Sequence, residues 1–399
     1  MRLGMLAPIC VCLIVPACSR FKIVGESDAT GTAHEVTVGD YRIGEPIIYA
    51  NLVIFPVSSK DRKDDDQFTT LDEGLQAGTV EILELGAIVP QQLESRSEPS
   101  GTDSSPQRAT ETAPAEGGDE VGSLRVINRS DKPLYLMPGE IVIGGQQDRT
   151  IAEETIIPPG YKPVRIEVFC VEPGRWSLRD AEATETLLSE AGVVGFDTYP
   201  VADRVVADTG KFAASVGSLN KATRVTLQAS QDHGSVWATV NTENAKSGAK
   251  MESGAFTANY AQRDVVEKFT PYKEKLEKPV AERDLIVGVI VAINGKVEVM
   301  DIFGSTPLFR KLWPKLLKSY ALDAAFASDA EVESTCSIED AKTFLAEAMD
   351  TKIEQEQTKG GLCLSKRSSE RVIGFEGGLG GGLGGGGFGG GVHGGFYSK

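Results

Sequence analysis

An Asn-Gly dipeptide between two apolar runs is the feature that most restricts the fold of this 399-residue chain. The runs are Leu285–Ile293 and Lys296–Ile302, and Asn294-Gly295 separates them. Both central positions of a two-residue hairpin turn need positive φ, which Asn and Gly tolerate best. The sequence therefore predicts an antiparallel β-hairpin here.

An amphipathic helix is predicted directly after this hairpin. Thr306-Pro307 supplies a capping residue and a proline at the first helical position. Apolar side chains then recur at helical spacing up to Tyr320 and form one continuous apolar face, although Pro314 is expected to kink or split the helix. The basic residues of the segment are expected on a solvated face; they are Arg310, Lys311, Lys315 and Lys318.

Strand-like segments dominate the first half of the chain and helix-like segments the second. Runs rich in Val, Ile and Tyr, bounded by Gly, Pro and Asp, predict strands up to Val171. A capping-box pattern from Thr70 to Glu73 predicts one short helix among them. The later helical segments are residues 181–191, 201–247, 256–277 and 338–349. This order predicts one main domain of the α+β class, with a strand-rich N-terminal half and a helical C-terminal half.

Compositional bias sets the expected domain boundaries. The main domain spans residues 34–325, and a C-terminal helical extension spans 326–373. Residues 91–120 hold seven acidic and two basic residues and almost no large apolar side chains, so we expect a disordered acidic insertion. From residue 377 to 395, 14 of 19 residues are Gly. Because Gly loses the most backbone entropy on ordering, residues 374–399 are expected to form a disordered tail.

The N-terminus has the layout of a secretory signal. Arg2 precedes an apolar stretch that is too short to span a membrane, and Ala17 precedes Cys18. Residues 15–18 are similar to a bacterial lipobox, which predicts a signal peptide over 1–17, a lipid on Cys18 and a linker over 18–33. An ordinary signal peptide cut nearby is the alternative. The protein is therefore expected to be exported and anchored to a membrane of the cell envelope, at its periplasmic face.

The charge and the cysteine content exclude several classes of partner. With 41 basic and 57 acidic residues the formal net charge is -16, which is unfavourable for binding nucleic acid. Three His and scattered Cys disfavour a zinc site, so neither a metal nor a cofactor is expected. Cys336 and Cys363 form the one pair considered for a disulfide bond.

The first polar cluster follows a strand that ends in Gly144-Gly145. Glycines at a strand end permit a tight turn or a close approach of a ligand to the backbone. Arg149 could hold a carboxylate or phosphate with two hydrogen bonds, and Asp148 could act as a base. The alternative is a polar turn with a structural Asp–Arg pair.

The second polar cluster surrounds the turn Pro173-Gly174. Glu172 precedes the turn, and Arg175 and Trp176 follow it. Together they could form a pocket for an anionic or planar ligand. The alternative is a Glu–Arg pair that closes the turn under a packed Trp.

Four segments in combination resemble the ARPP domain family. They are GEIVIGGQQDR (139–149), FCVEPGRW (169–176), SVWATV (235–240), and VAINGK with DIFGSTPLFRKLWPKLLKSYALDA (291–324). The resemblance covers residues 35–325 apart from the acidic insertion. It implies a link to ADP-ribosylglycohydrolases, to the rhodanese-phosphatase superfamily, and to NAD and ADP-ribose metabolism. It also implies that the motif positions form a site; these are Glu140, Gln147, Asp148, Arg149, Glu172, Arg175 and Trp176.

Two functional hypotheses follow from the sequence. The first is a lipid-anchored envelope protein that binds a small anionic ligand related to ADP-ribose or NAD. Its ligand-binding residues would be Gln147, Arg149, Arg175 and Trp176, and its candidates for acid–base chemistry Glu140, Asp148 and Glu172. The second is a non-enzymatic structural or interaction protein of the envelope, in which the same residues only stabilise the fold.

Lipidation makes a direct prediction for the mature N-terminus. We expect intact-mass spectrometry of the membrane fraction to show a chain that begins at Cys18 and carries a diacylglyceryl group. Cys18→Ser should move the protein into the aqueous fraction. A mature chain with an unmodified Cys18 would contradict the prediction.

Overall fold

In the computed structural model, the predicted Asn294-Gly295 turn joins two eight-residue strands inside the largest sheet. Both turn residues have positive φ, 49° for Asn294 and 78° for Gly295, as the hairpin prediction requires. The described residues are 36–84, 122–179, 181–192, 210–327, 336–379 and 391–399, and they belong to one compact unit. The predicted signal peptide, Cys18, the linker and the acidic insertion lie outside them.

The strands are numbered in chain order. They are β1 (Val36–Val38), β2 (Tyr41–Ile43), β3 (Ile47–Tyr49), β4 (Leu52–Ser59), β5 (Thr69–Thr70), β6 (Val80–Glu84), β7 (Ser123–Asn128), β8 (Leu134–Leu136), β9 (Glu140–Gly144), β10 (Arg149–Ile151), β11 (Thr155–Ile157), β12 (Val164–Cys170), β13 (Phe212–Ser218), β14 (Ile286–Ile293), β15 (Lys296–Phe303), β16 (Lys352–Lys359), β17 (Leu362–Ser368), β18 (Val372–Leu379) and β19 (Gly391–Ser398).

The helices are numbered in the same way. They are α1 (Leu71–Gln76), α2 (Ala181–Glu190), α3 (Lys221–Ser230), α4 (His233–Ser247), α5 (Ala258–Ala261), α6 (Arg263–Ala281), α7 (Thr306–Ala325) and α8 (Ile338–Met349). The capping box predicted at Thr70 and Glu73 begins α1. Helix α7 begins one residue earlier than predicted, because the Ser305 side chain accepts the capping hydrogen bond from the backbone N–H of Leu308, and it continues through Pro314.

Three sheets organise these elements. The largest has the order β1-β2-β4-β14-β15-β19-β18-β17-β16, with β3 paired to β4. The second has the order β13-β9-β10-β12-β7-β6, and the third β11-β8-β5. Every residue of β14 is buried, so its uninterrupted apolar sequence belongs to a strand covered on both faces.

Helix α7 occupies the core between the two larger sheets. Trp313 of α7 is fully buried in the same apolar cluster as Val289 of the largest sheet and Ile141 of the second. The opposite face of the largest sheet packs against α8, where Phe344 meets Ile290 in a separate cluster. Among the described residues, no helix is both long enough and apolar enough to cross a membrane.

The prediction of a helical C-terminal half is wrong. Seven strands of the described residues lie beyond residue 210, and large antiparallel sheets run through the whole described chain. β13 falls inside the segment 201–247 that was predicted to be helical. Its sequence, FAASVGS, consists mostly of small residues with weak strand preference, but all seven are buried against β9. Tertiary pairing therefore overrides local propensity there.

The prediction of a disordered tail over 374–399 is also wrong. β18 and β19 contain most of this segment, and β19 pairs with β15 on one side and with β18 on the other. Phe396 and Tyr397 are fully buried. The hydrogen bonds along both edges of β19 and this apolar burial offset the entropy that its glycines lose. Residues 380–390 lie outside the described residues.

A glycine-to-alanine pair tests whether the tail is ordered. A Cβ added at Gly374 of β18 would overlap the Phe396 ring of β19, whereas one at Gly160 would meet no atom within 4 Å. We expect Gly374→Ala to lower the free energy of unfolding by about 1–3 kcal/mol. Gly160→Ala should change it by less than about 0.5 kcal/mol. Urea denaturation measures both, and equal effects would contradict the position of β19.

Candidate functional site

The sequence-predicted residues Asp148 and Glu172 converge with two arginines in one buried network. Asp148 lies in the turn between β9 and β10, and Glu172 follows β12. The Glu172 carboxylate accepts a hydrogen bond from the backbone N–H of Asp148 at 2.9 Å. Arg179, which the sequence analysis did not identify, donates to both carboxylates at 3.0–3.2 Å. Two negative and two positive side chains therefore neutralise one another.

Arg175 uses its whole guanidinium inside this network. Its Nε–H donates to Glu172 at 2.8 Å, and its Nη2 donates to Asp148 at 3.1 Å and to the carbonyl of Gly144 at 3.3 Å. Its Nη1 donates to the carbonyls of Gly145 at 2.7 Å and Ser177 at 2.8 Å. A guanidinium has five N–H donors, so these five bonds leave Arg175 none to offer a ligand.

The protonation of the two carboxylates differs. Burial and the neighbouring Glu172 charge raise the pKa of Asp148 to about 6, although both arginines oppose the shift. Burial also acts on Glu172, but the hydrogen bond from Arg175 and the charges of Arg179 and Arg175 bring the pKa of Glu172 below its ordinary value. Asp148 therefore protonates first as the pH falls.

The remaining sequence-predicted site residues are dispersed around this network. Gln147 donates to the carbonyl of Glu172 at 3.1 Å and accepts from Arg149 at 2.6 Å, and both side chains are buried. Trp176 is 56% exposed, so it does not pack over the turn. Ligand binding and catalysis at these positions stay predictions.

Glu140 has a different set of partners. Its carboxylate pairs with Lys315 of α7 and accepts from the backbone N–H of Met137 at 2.7 Å. Lys315 also pairs with Asp72 at 2.9 Å. Lys318 donates to the carbonyls of Ala191 at 2.8 Å and Val216 at 3.0 Å. The prediction of a solvated basic face is therefore wrong for Lys315 and Lys318, because the second sheet and α1 cover that side of α7.

A second buried network surrounds Asp301 in β15. Arg224 of α3 binds both carboxylate oxygens of Asp301, at 2.6 and 3.0 Å, and the Tyr320 hydroxyl donates to the same carboxylate. His393 of β19 places Nε2 at 2.9 Å from Asp301 and stacks on Phe303 at 4.4 Å between ring centroids. Asp301, Arg224 and His393 are all at most 6% exposed. None of the three side chains that contact the Asp301 carboxylate was predicted as a site residue from the sequence.

The register of β18 and β19 brings Glu154 onto the same face of the sheet as His393. Gly377 and His393 are cross-strand partners, so their side-chain positions point to one face. A Cβ at Gly377 would overlap the Glu154 carboxylate, which lies directly over this glycine. A Cβ at Gly395 would likewise come too close to the Tyr397 hydroxyl and to the Asp301 carboxylate. Glycines of the tail thus admit two buried carboxyl groups against the sheet.

Glu154 and His393 line a cavity of about 400 Å³. Its floor is the face of β17 and β18 that carries Leu364 and Phe375, and its other walls include Ala152 and Gln228. This volume falls within the range of small-molecule sites. Within the described residues, no group of three or more His, Cys, Asp or Glu side chains could hold a metal ion.

The two cavity groups are uncharged at neutral pH. Burial lowers the pKa of His393, and the Asp301 carboxylate only partly opposes this. Burial raises the pKa of Glu154 to about 8, although the Tyr135 hydroxyl counteracts part of the shift. Burial disfavours ionisation of Asp301 too, but the Arg224 charge and the His393 hydrogen bond hold the pKa of Asp301 well below its usual range. The cavity therefore contains a neutral imidazole, a carboxylic acid and a fixed carboxylate behind the imidazole.

The sequence does contain signals for this second network. Asp301 is the one acidic residue in the otherwise apolar run from Val299 to Phe303, and such a residue needs a partner when buried. Residues 392–397 also hold Val392, Phe396 and Tyr397 close to His393, but the surrounding glycines hide this strand-like composition. The three Cys among the described residues are free thiols, so Cys336 and Cys363 form no disulfide.

Comparisons with known proteins identify the family. A family model described as "ARPP-1: ARG and Rhodanese-Phosphatase-superfamily-associated Protein domain" matches residues 40–377. The match includes the turn at 144–148, Glu154 and Asp301, and it ends before His393. No curated protein and no solved structure matches the chain significantly.

The saturated hydrogen bonding of Arg175 predicts a structural role. We expect Arg175→Lys to lower the free energy of unfolding by about 2–4 kcal/mol, because Lys cannot replace the planar donors between two buried carboxylates. The matched control is Arg263→Lys, whose side chain is 87% exposed in a pair with Glu267. Its expected effect is below about 0.5 kcal/mol. Equal stability of both variants in urea denaturation would contradict the structural role.

Proposed function

This chain belongs to the ARPP-1 family, and from that premise we propose that it performs acid–base chemistry on a small ligand in the cavity beside His393. The observation that carries the proposal is the placement of His393 and Glu154 on one face of the sheet, at the wall of the same cavity. His393 acts as the base and Glu154 as the acid. Asp301 is a positioning residue that holds the imidazole.

The tautomer of His393 follows from its partner. Asp301 is ionised and can only accept a hydrogen bond, so Nε2 carries the proton. In the neutral ring the lone pair then lies on Nδ1, which is the atom that takes a proton from the ligand. A neutral base beside a protonated carboxyl group is a combination suited to moving two protons in one reaction. Because His393 lies beyond the matched residues 40–377, this chain supplies that base from its own C-terminal strand.

The anionic ligand predicted from the sequence has weaker support in the geometry. All five N–H groups of Arg175 donate to acceptors within the protein. The carboxylates of Asp148 and Glu172 neutralise Arg175 and Arg179. Arg149 retains an Nε–H that has no hydrogen-bond partner among the described residues. Binding of an ADP-ribose-like ligand at Arg149 therefore remains a separate proposal.

Export and lipid anchoring complete the proposal. Their support is the arrangement of Arg2, the apolar stretch, Ala17 and Cys18 in the sequence. An anchored protein would meet its ligand at the periplasmic face of the envelope. The alternative, a structural or interaction protein without enzymatic activity, predicts that no compound is converted.

Turnover of an unknown substrate can be tested by metabolite profiling. The purified protein is incubated with a cell extract, and mass spectrometry follows each compound. We expect at least one compound to be depleted by the wild type and by His233→Gln, but not by His393→Gln or Glu154→Gln. His233 serves as the control because it packs against Phe169 and does not line the cavity. Depletion that survives both cavity substitutions, or no depletion at all, would contradict the proposal.

The raised pKa of Glu154 predicts a pH dependence of stability. The carboxyl group has a pKa of about 8 in the folded state, against an ordinary value of 4.5 for glutamate. Between these values the folded state binds more protons than the unfolded state, so the free energy of unfolding falls as the pH rises. The slope should approach about 1.4 kcal/mol per pH unit from this group. Glu154→Gln should remove that slope, whereas Glu339→Gln, at a 65% exposed position, should leave it. Parallel curves for Glu154→Gln and the wild type would contradict the prediction.

A further inference from the structure

We infer that the ligand of the His393 cavity is an uncharged polyhydroxylated molecule, of the size of one or two sugar rings. The inference rests on the proposed function, because it assigns a ligand class to the same cavity. Three features of the walls carry it: a buried oxygen without a well-aligned hydrogen bond, an aromatic face, and a set of amides in a lining that offers no unpaired cation.

The unpartnered oxygen belongs to Glu154. Its Oε1 is buried and makes no hydrogen bond of good geometry among the described residues, the neighbouring Tyr135 hydroxyl included, and the side chain lines the cavity. A buried polar atom without a partner is costly, so a ligand group or a water molecule is needed there. At neutral pH the carboxyl group carries a proton, so it can both donate a hydrogen bond and accept one. A hydroxyl group is complementary to it because a hydroxyl also does both.

The aromatic face is that of Phe375 on the cavity floor. Phe375 lies two residues before Gly377 in β18, so both positions point to the face that carries His393. The cross-strand partner of Phe375 on β19 is Gly395, which has no side chain to cover the ring. The ring is partly buried and packs at a tilt against Tyr397, at 6.3 Å between ring centroids. An aromatic ring exposed in part between polar groups suits the C–H face of a sugar ring, which is apolar while its edge is polar.

The rim supplies neutral hydrogen-bonding groups. Amide side chains of Gln228, Gln231, Gln355 and Gln357 line the cavity. Gln231 and Gln357 each use one donor on Glu153, at 3.4 and 3.3 Å, and Gln228 uses one on the carbonyl of Arg224 at 3.4 Å, so each amide still has an acceptor oxygen to offer. An amide donates through nitrogen and accepts through oxygen, and it therefore suits hydroxyl groups of either role.

Three charged residues of the lining are paired with an opposite charge within the protein. Glu153 pairs with Lys359 at 2.7 Å, Lys366 with Glu354 at 3.6 Å, and Glu376 with Arg367 at 2.9 Å. Glu356 accepts a hydrogen bond from the Cys363 thiol at 3.0 Å and has no ion-pair partner among the described residues, so it adds an uncompensated negative charge to the lining. An anion would meet no unpaired cation among these lining residues, which include three ionised glutamates beside the protonated Glu154 and only one lysine. A neutral ligand avoids both the repulsion of an anion and the need to break these pairs.

A binding panel tests the ligand class. Thermal shift and calorimetry are run with neutral sugars (glucose, N-acetylglucosamine, maltose), with anions (glucose 6-phosphate, ADP-ribose) and with the cation glucosamine. The variants are Phe375→Leu, which keeps an apolar side chain but removes the ring, and Tyr161→Leu, which changes a 78% exposed residue outside the cavity. We expect a neutral sugar to bind, and we expect Phe375→Leu to weaken it about fivefold while Tyr161→Leu does not.

The outcomes separate this inference from the proposed function. Binding of only an anion or a cation, lost in His393→Gln, would overturn the ligand class but keep the site. Neutral-sugar binding that is unchanged in both His393→Gln and Phe375→Leu would place the sugar elsewhere and overturn the inference. No binding by any member of the panel would overturn the inference too, while the metabolite depletion assay would still decide the proposed function.

Discussion

The Asp301 carboxylate is the interaction on which the site depends. It lies in the middle of the largest sheet, and it meets Arg224 from α3, Tyr320 from α7 and His393 from β19. An unpaired charge at this depth would cost several kcal/mol, so the folded sheet requires these partners around the Asp301 carboxylate. This requirement ties the C-terminal strand to the central hairpin and to two helices. It also fixes the orientation of the imidazole, because the carboxylate can only accept.

The two polar networks of the protein differ in whether they leave hydrogen-bonding groups available to a ligand. Around Asp148 and Glu172 the donors of Arg175 are consumed by carboxylates and backbone carbonyls, which is the pattern of a structural joint. Around Asp301 the acid–base groups face a cavity, and Glu154 keeps a buried oxygen without a partner among the described residues. An unsatisfied polar group beside an open volume is a stronger indication of ligand binding than a dense cluster of paired charges.

Local patterns in the sequence were sufficient for the elements that depend on local chemistry. The Asn294-Gly295 hairpin, the capping box at Thr70 and the helix beginning near Thr306 are all present. The predictions that were wrong concern features that depend on residues distant in the sequence. Lys315 is buried because Glu140, 175 positions away, neutralises it, and the glycine-rich β19 is ordered because β15 and β18 bind both its edges. Most residues of the Asp148 network stand in short sequence motifs, so the sequence predicted them. Glu154 and His393 come together only through the pairing of β18 with β19, so the sequence did not indicate them.

The most direct test of the central claim is the protonation of His393 in solution. The chain has three histidines, so NMR titration with His393→Gln and His233→Gln as assignment variants can identify each ring. We predict that His393 is neutral at pH 7, carries its proton on Nε2, and titrates below the ordinary histidine pKa of about 6.5. Asp301→Asn should alter that tautomer or its titration if the variant folds. A His393 ring that titrates like an exposed histidine, with the two tautomers mixed, would contradict the account.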